Sequence, residues 1–297
     1  MASILKILEQ RFPKNSQGSN HMKVFKSRVI EALQEGIRLF EIHSSQNELR
    51  QYLYLLIDFD PYLLSAYYKL GELIEEELRQ EIRSRSILSK ETMRRTDTFL
   101  SKLERYSLRK HVKESQLHYL RGKLTTYYPS SERQLSSEIA SFKRALELDS
   151  NHHLARLALA KNYYQLSFYR QSVKTLEPLM VMEKSGNNNR YFEEVKTLYI
   201  KNNIESASTA YSNENYFLVL EYMLKVLELN NNKLFNLEST VWLGYAYFYS
   251  ERHEQNVELL GQALDVYGEE SEILYLMALS KEGLYKLEEA IVWYDKV

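Results

Sequence analysis

A pattern of residues recurs along this chain at a spacing that few folds can accommodate. Leu243-Gly244 is followed three residues later by Tyr247, and then by Leu260, Ala263 and Gly268. Eighty-four residues upstream, Leu159-Ala160 precedes Tyr163, with Ser172, Leu176 and Leu179 beyond. Between these copies, Ala207 and Ala210 are followed by Tyr216, Val219, Met223 and Val226, then by Asn230-Asn231-Asn232. Each copy reads as two helices joined by a turn. A small residue midway along the first helix lets the second cross closely, and a small residue in the second lets the next pair approach. A pair this short leaves an apolar face uncovered, so pairs must stack on one another.

Composition points the same way. The 297 residues include only 9 Gly and 4 Pro, too few for the tight turns of strand-rich folds, against 24 Tyr. There is no Cys, which excludes disulfides, thiolate catalysis, iron–sulfur clusters and cysteine zinc sites. The net charge of −1 carries no global preference for nucleic acid or acidic surfaces.

Other stretches extend the repeat. Residues 115 to 152 contain Arg121-Gly122 and then Phe142 to Asp149, with an insertion around Tyr128-Pro129-Ser130-Ser131. Residues 30 to 63 end with Leu49, Leu53, Leu56 and Asp60-Pro61, and Tyr67, Leu70-Gly71 and Ile74 open the next stretch. Leu70, Ile74, Leu78 and Ile82 recur every four residues, so that helix is predicted to overrun the repeat length. A second long helix is predicted after Ser89, with Glu91 and Thr92 in its first turn. Residues 187 to 199 fall outside the period and read as a loop and an N-terminal extension of the next helix. The last unit begins near Ser271, with Ala278 and Ala290 twelve apart. The expected organisation is an N-terminal segment, 1–29, with a loop over Pro13 to Asn20; degenerate helices over 30–114, including long basic ones; and a regular array over 115–297.

These residues resemble the tetratricopeptide repeat, a 34-residue helix–turn–helix unit in which a Leu-Gly pair is followed by a Tyr, then by small, aromatic and small positions and a Pro. Leu243, Gly244, Tyr247 and Ala263 fit directly; Trp242 does not take the family's Trp position, where Thr240 stands, and Asn256 replaces a small residue. The resemblance covers most of the chain. It implies an all-α, right-handed superhelical array of antiparallel helix pairs, about six or seven of them by the period. It also implies a non-catalytic scaffold that binds a protein or peptide on a concave face.

The residues supply little else to catalyse with. There is no GxGxxG, phosphate loop or GxSxG. His111 and His118, with Glu114, offer too few converging groups for zinc, and His152 and His153 point in different directions on a helix. Asp58 and Asp60 sit where a second helix ends. The chain is therefore expected to be no enzyme, with no metal, cofactor or small-molecule substrate.

Within the resemblance, Tyr164, Tyr211 and Phe248 fall one residue past the packing Tyr position in successive repeats, a register that faces the groove. Leu157, Lys161, Ser208, Val241 and Tyr245 fall at other groove registers. Together they form the expected partner-binding strip, with aromatic anchors. Some family members grip a terminal carboxylate with Lys, Asn and Arg. Lys161 occupies one matching position, but Ser208 and Tyr245 follow, so carboxylate-tail binding is not expected. The alternative reading is a basic surface over 79–113, made by Arg83, Arg94, Arg95, Lys102, Arg105, Arg109 and Lys110, which would take nucleic acid or an anionic membrane. Nucleic acid ranks low, because Phe99 and Tyr106 are the only aromatics there. The apolar, uncapped C-terminal helix, Ile291 to Val297, suggests self-association or a longer array. Without a signal peptide or membrane span, the expected location is cytoplasmic.

Overall fold

The computed structural model describes residues 46–60, 63–85, 88–109, 114–128, 132–184, 191–231, 233–234 and 236–297. The expectations for 1–29, for the first part of the repeat beginning at 30 (residues 30–45) and for His111 and Lys110 lie outside them. The described residues form thirteen helices and no strand. They divide into two compact units, residues 1–113 with 127–129, and residues 114–126 with 130–297.

The first unit contains α1 (Gln46–Phe59), α2 (Leu64–Arg85) and α3 (Lys90–Arg109). α2 has 22 residues and α3 has 20, both longer than a repeat helix. Ser89 starts α3: its Oγ accepts the Thr92 amide at 3.2 Å and so satisfies a first-turn N–H. The core is one stripe from each helix, Leu53 and Leu56 from α1, Tyr67, Leu70, Ile74 and Leu78 from α2, and Phe99 and Leu103 from α3. The Tyr67 ring packs against those of Phe99 and Tyr106 at 6.3 and 5.1 Å.

The second unit is an all-α array of five hairpins: α4 (Ser115–Thr125) with α5 (Glu132–Leu148), α6 (His153–Gln165) with α7 (Tyr169–Lys184), α8 (Phe192–Ser212) with α9 (Tyr216–Leu229), α10 (Leu237–Tyr249) with α11 (His253–Tyr267), and α12 (Ser271–Gly283) with α13 (Leu287–Tyr294). α8 begins well before the repeat, at Phe192. Each second helix packs on the first helix of the following hairpin, and consecutive first helices also touch. Among the described residues no second helix touches the next second helix. First helices therefore crowd on one side of this unit and second helices diverge on the other, which makes the first-helix side concave.

Small residues set the close crossings. Gly122, Ala160, Ala207, Gly244 and Ala278 are all buried in the first helices. A Cβ on Gly122 would lie 2.7 Å from the Phe142 ring, and one on Gly244 would lie 2.8 Å from Leu276. Helix starts are fixed by side-chain acceptors: His152 Nδ1, Asn215 Oδ1 and Asn236 Oδ1 take the amides of Ala155, Leu218 and Ser239.

Four of the five hairpins turn identically. The chain leaves α6, α8, α10 and α12 through one residue in the left-handed region: Ser167 (φ 59°), Glu214 (55°), Glu251 (57°) and Tyr285 (60°). Each amide of these residues bonds the carbonyl three positions back, and the next amide bonds the carbonyl five back; Glu251 N to Phe248 O and Arg252 N to Tyr247 O are one instance. This pattern satisfies helix-end carbonyls that would otherwise be orphaned. It also gives the four repeats a common ruler, on which Tyr164, Tyr211, Phe248 and Glu282 are equivalent.

Candidate partner-binding surface

The left-handed turn brings a ring at the end of each first helix onto a ring that opens the second. Tyr164 meets Tyr169 at 5.6 Å, Tyr211 meets Tyr216 at 6.1 Å, and Phe248 meets His253 at 5.5 Å. Each pair spans five residues across the turn. The last hairpin breaks the series with Glu282, whose carboxylate accepts from the Tyr294 hydroxyl at 2.8 Å.

Two of the pairs, Tyr211–Tyr216 and Phe248–His253, join into one surface around α10, through Tyr249. The Tyr211 ring lies 5.9 Å from both Trp242 and Tyr245, and Tyr245 reaches Tyr249 at 6.5 Å. Tyr249 stacks on Tyr216 at 4.1 Å, with ring planes 16° apart. Tyr211, Tyr216, Trp242 and Tyr245 pack one side against the core and are only half-buried, and Tyr249 is 57% exposed. Tyr275, 41% exposed, stands on α12 at the register that Val241 holds on α10. Burial comes first in raising the hydroxyl pKa values of Tyr164, Tyr211, Tyr216 and Tyr245. The neighbours that add to it are other phenols and the carboxylates of Glu205, Glu214 and Glu272.

The sequence-derived strip divides in this setting. Leu157 is 4% exposed and packs with Ala160, Val173, Leu176 and Val195, so it serves the core and leaves the strip. Lys161 is exposed, and its Nζ pairs with Glu194 Oε1 at 2.6 Å, which ties α6 to the first turn of α8. Ser208, Val241, Tyr211, Tyr245 and Phe248 are half-buried, as is Tyr164. Trp242, Tyr249, Tyr275, Glu205 and Glu272 join the surface without having been nominated. Period alone could have found Tyr275, which lies thirty-four residues after Val241.

Three of the seven basic residues nominated in the first unit, Arg94, Arg95 and Lys102, pair with carboxylates nearby. Arg94 and Arg95 bracket Glu91, whose carboxyl is held down at about 2 by their hydrogen bonds. Arg95 also bonds Glu77 at 2.9 Å, and Lys102 bonds Asp58. Arg79 bonds Glu75 and the Tyr127 hydroxyl. Arg83 and Arg105 are exposed. The side chain of Arg109, like Lys110, lies outside the description. Among the described residues, no group of three or more His, Asp or Glu side chains could hold a metal ion, and no helix is long and apolar enough to cross a membrane.

Five stacked hairpins with small residues at the crossings make the second unit an all-α array of helix pairs, the architecture that the resemblance to the tetratricopeptide repeat implies. No family model matches the chain, and no curated protein matches it. Similar solved structures include YrrB, described as a TPR protein with an unusual peptide-binding site, at 17% identity and a TM-score of 0.38 over 62% of this chain and 84% of that one. A MamA structure (AMB-1) gives 17% and 0.37 over 61% and 88%, and the TPR domain of P58(IPK) gives 14% and 0.31 over 90% and 92%. Overlaps this low bear on neither fold nor function; the architecture rests on the hairpins themselves.

Proposed function

We propose that this chain is a non-catalytic scaffold whose second unit binds an extended peptide, or a segment of a partner protein, along its first helices. The observation that carries this reading is the half-exposed aromatic surface of Tyr211, Trp242 and Tyr245 on the first helices, which Tyr216 and Tyr249 continue at the hairpin-turn edge. Rings in such a position supply large contact area at small entropic cost, and aromatic anchors dominate the affinity of most interfaces. The basic segment, in which Arg94, Arg95 and Lys102 already pair with carboxylates, gives less support to nucleic-acid or membrane binding.

The test is selection from an unbiased displayed peptide library against the whole chain and against a variant with Tyr211→Ala, Tyr245→Ala and Tyr249→Ala. Selected peptides should bind the variant at least about tenfold more weakly, the scale of one or two anchor residues. Peptides that bind both proteins equally would refute the concave-face site.

A further inference from the structure

A cavity of about 280 Å³ lies between the start of α7 and the helices α8 and α9, at the hairpin-turn edge. Small-ligand sites begin at about 300 Å³, so it is large enough for a small molecule. None of the rings around α10 lines it, so it is independent of the binding face proposed above. Phe168, Leu218 and Tyr222 give it a largely apolar wall. No carboxylate lines it, and its one charged side chain is Arg170, which is exposed and has no ion pair or hydrogen bond among the described residues. Glu214, which falls between two lining residues, lines the adjoining cleft with Arg252 instead.

Donors without acceptors surround this space. Phe168 stands where Asn215 stands before α9, but it has no side-chain acceptor to cap α7, and the amides of Tyr169, Arg170 and Gln171 have no partner. Asn215 commits its Oδ1 to the Leu218 amide, which leaves its Nδ2 to donate. The independent sign of a ligand is Ser206. It lines the cavity, is 4% exposed, and its Oγ has no hydrogen-bond partner. Thr209 and Ser212 on the same helix donate to the carbonyls four residues back, and Ser206 does not. Unpaired buried hydroxyls are rare, and this one lies beside a helix start with free amides, a setting that favours an anionic acceptor.

We propose that the cavity binds a small organic carboxylate. Its oxygens accept from the Ser206 hydroxyl, the first amides of α7 and the Arg170 guanidinium, and its apolar body lies against Phe168, Leu218 and Tyr222. A carboxylate fits better than a phosphate, because a single guanidinium balances one charge and the wall is largely apolar.

The test titrates para-fluorophenylacetate with the full chain and follows broadening of its fluorine resonance. It should bind with a Kd of about 0.1–1 mM, the range open to a ligand of this size. Para-fluorophenylacetamide should bind about tenfold more weakly, and inorganic phosphate should displace the carboxylate only at about tenfold higher concentration. Arg170→Gln and Ser206→Ala should each weaken the carboxylate about five- to tenfold and leave the amide unchanged. Both variants should fold, since Arg170 is exposed and Ser206→Ala removes only an unpaired hydroxyl. Equal binding of carboxylate and amide would make this an apolar cleft, and displacement by less phosphate would make it an inorganic-anion site. Affinity unchanged in both variants would put the probe elsewhere, and no broadening up to about 10 mM would mean no site. Each of these results overturns the proposal.

Discussion

A carboxamide stands where the repeat would ordinarily place a methyl group. Asn256 is fully buried, and its Nδ2 donates to the Gly244 carbonyl at 2.9 Å and to Ser280 Oγ at 2.8 Å, joining α10, α11 and α12. Ser172 does part of this work two hairpins earlier, donating to the Ala160 carbonyl at 2.8 Å. Asn256→Ala removes both bonds and leaves Ser280 without its donor, so unfolding in denaturant should show a loss of about 1–3 kcal/mol. His152 is a second residue with a definable role. Its Nδ1 accepts the Ala155 amide and its Nε2 faces Gln116 Oε1 at 2.8 Å, a pattern that requires the neutral ring. Burial lowers its pKa, and nearby Asp149 opposes this. Because the folded value lies below the unfolded one, the stabilisation is complete above about pH 6.5 and is lost as pH falls through the folded value. His152→Asn keeps an acceptor at the helix start but removes the titration. Its stability should therefore fall less between pH 7.5 and 5 than that of the unsubstituted chain, measured by thermal unfolding. In the sequence, Asn256 was legible only as a departure from a pattern and His152 only as a boundary residue. Both act through partners far along the chain, which spacing does not reveal.

At the level of the helix pair, the recurrent device is the left-handed residue. Ser, Glu, Glu and Tyr occupy it, and none has glycine's freedom there; an L side chain in this region costs about 1–2 kcal/mol. The two backbone bonds of each turn hold it in place. Glu251 is exposed, so Glu251→Gly should relieve the strain and raise stability by about 0.5–1 kcal/mol, visible as a rise of about 1–4 °C in melting temperature. A fall would mean that the glutamate side chain itself supports the turn. This element explains what the sequence could and could not disclose. The helix pairs, their small crossing residues and the common register of Tyr164, Tyr211 and Phe248 were legible through the period. The ring partners Tyr169, Tyr216 and His253 were not, because contacts five residues apart arise only once the chain reverses through a positive φ. Leu157 was misplaced for a related reason: periodicity assigns a side to a helix, but not how deeply the next helix covers it.

At the scale of the whole molecule, the second unit is joined through neighbours only, since each helix touches those of its own and adjacent hairpins. Stability in such an array is close to a sum of local pieces. The last hairpin has a weak outer layer: α13 buries only Ala290, while Leu287, Ile291 and Val292 are all more than half exposed. Amide exchange followed by mass spectrometry should therefore find α12 and α13 opening at lower free energy than α8 to α11; uniform protection across the unit would show a single cooperative block. The hairpin turns carry a further consequence. From α6 onward, every link within a hairpin is three residues long, 166–168, 213–215, 250–252 and 284–286, whereas links between hairpins vary from the three residues 268–270 to the seven of 230–236. One rim of the unit is thus cut to a fixed gauge and the other is elastic. A tag or grafted domain spliced between Asn230 and Asn236 would hang from the elastic rim without disturbing the spacing of the rings, while the same graft at Glu214 would force apart the pair it was meant to report on.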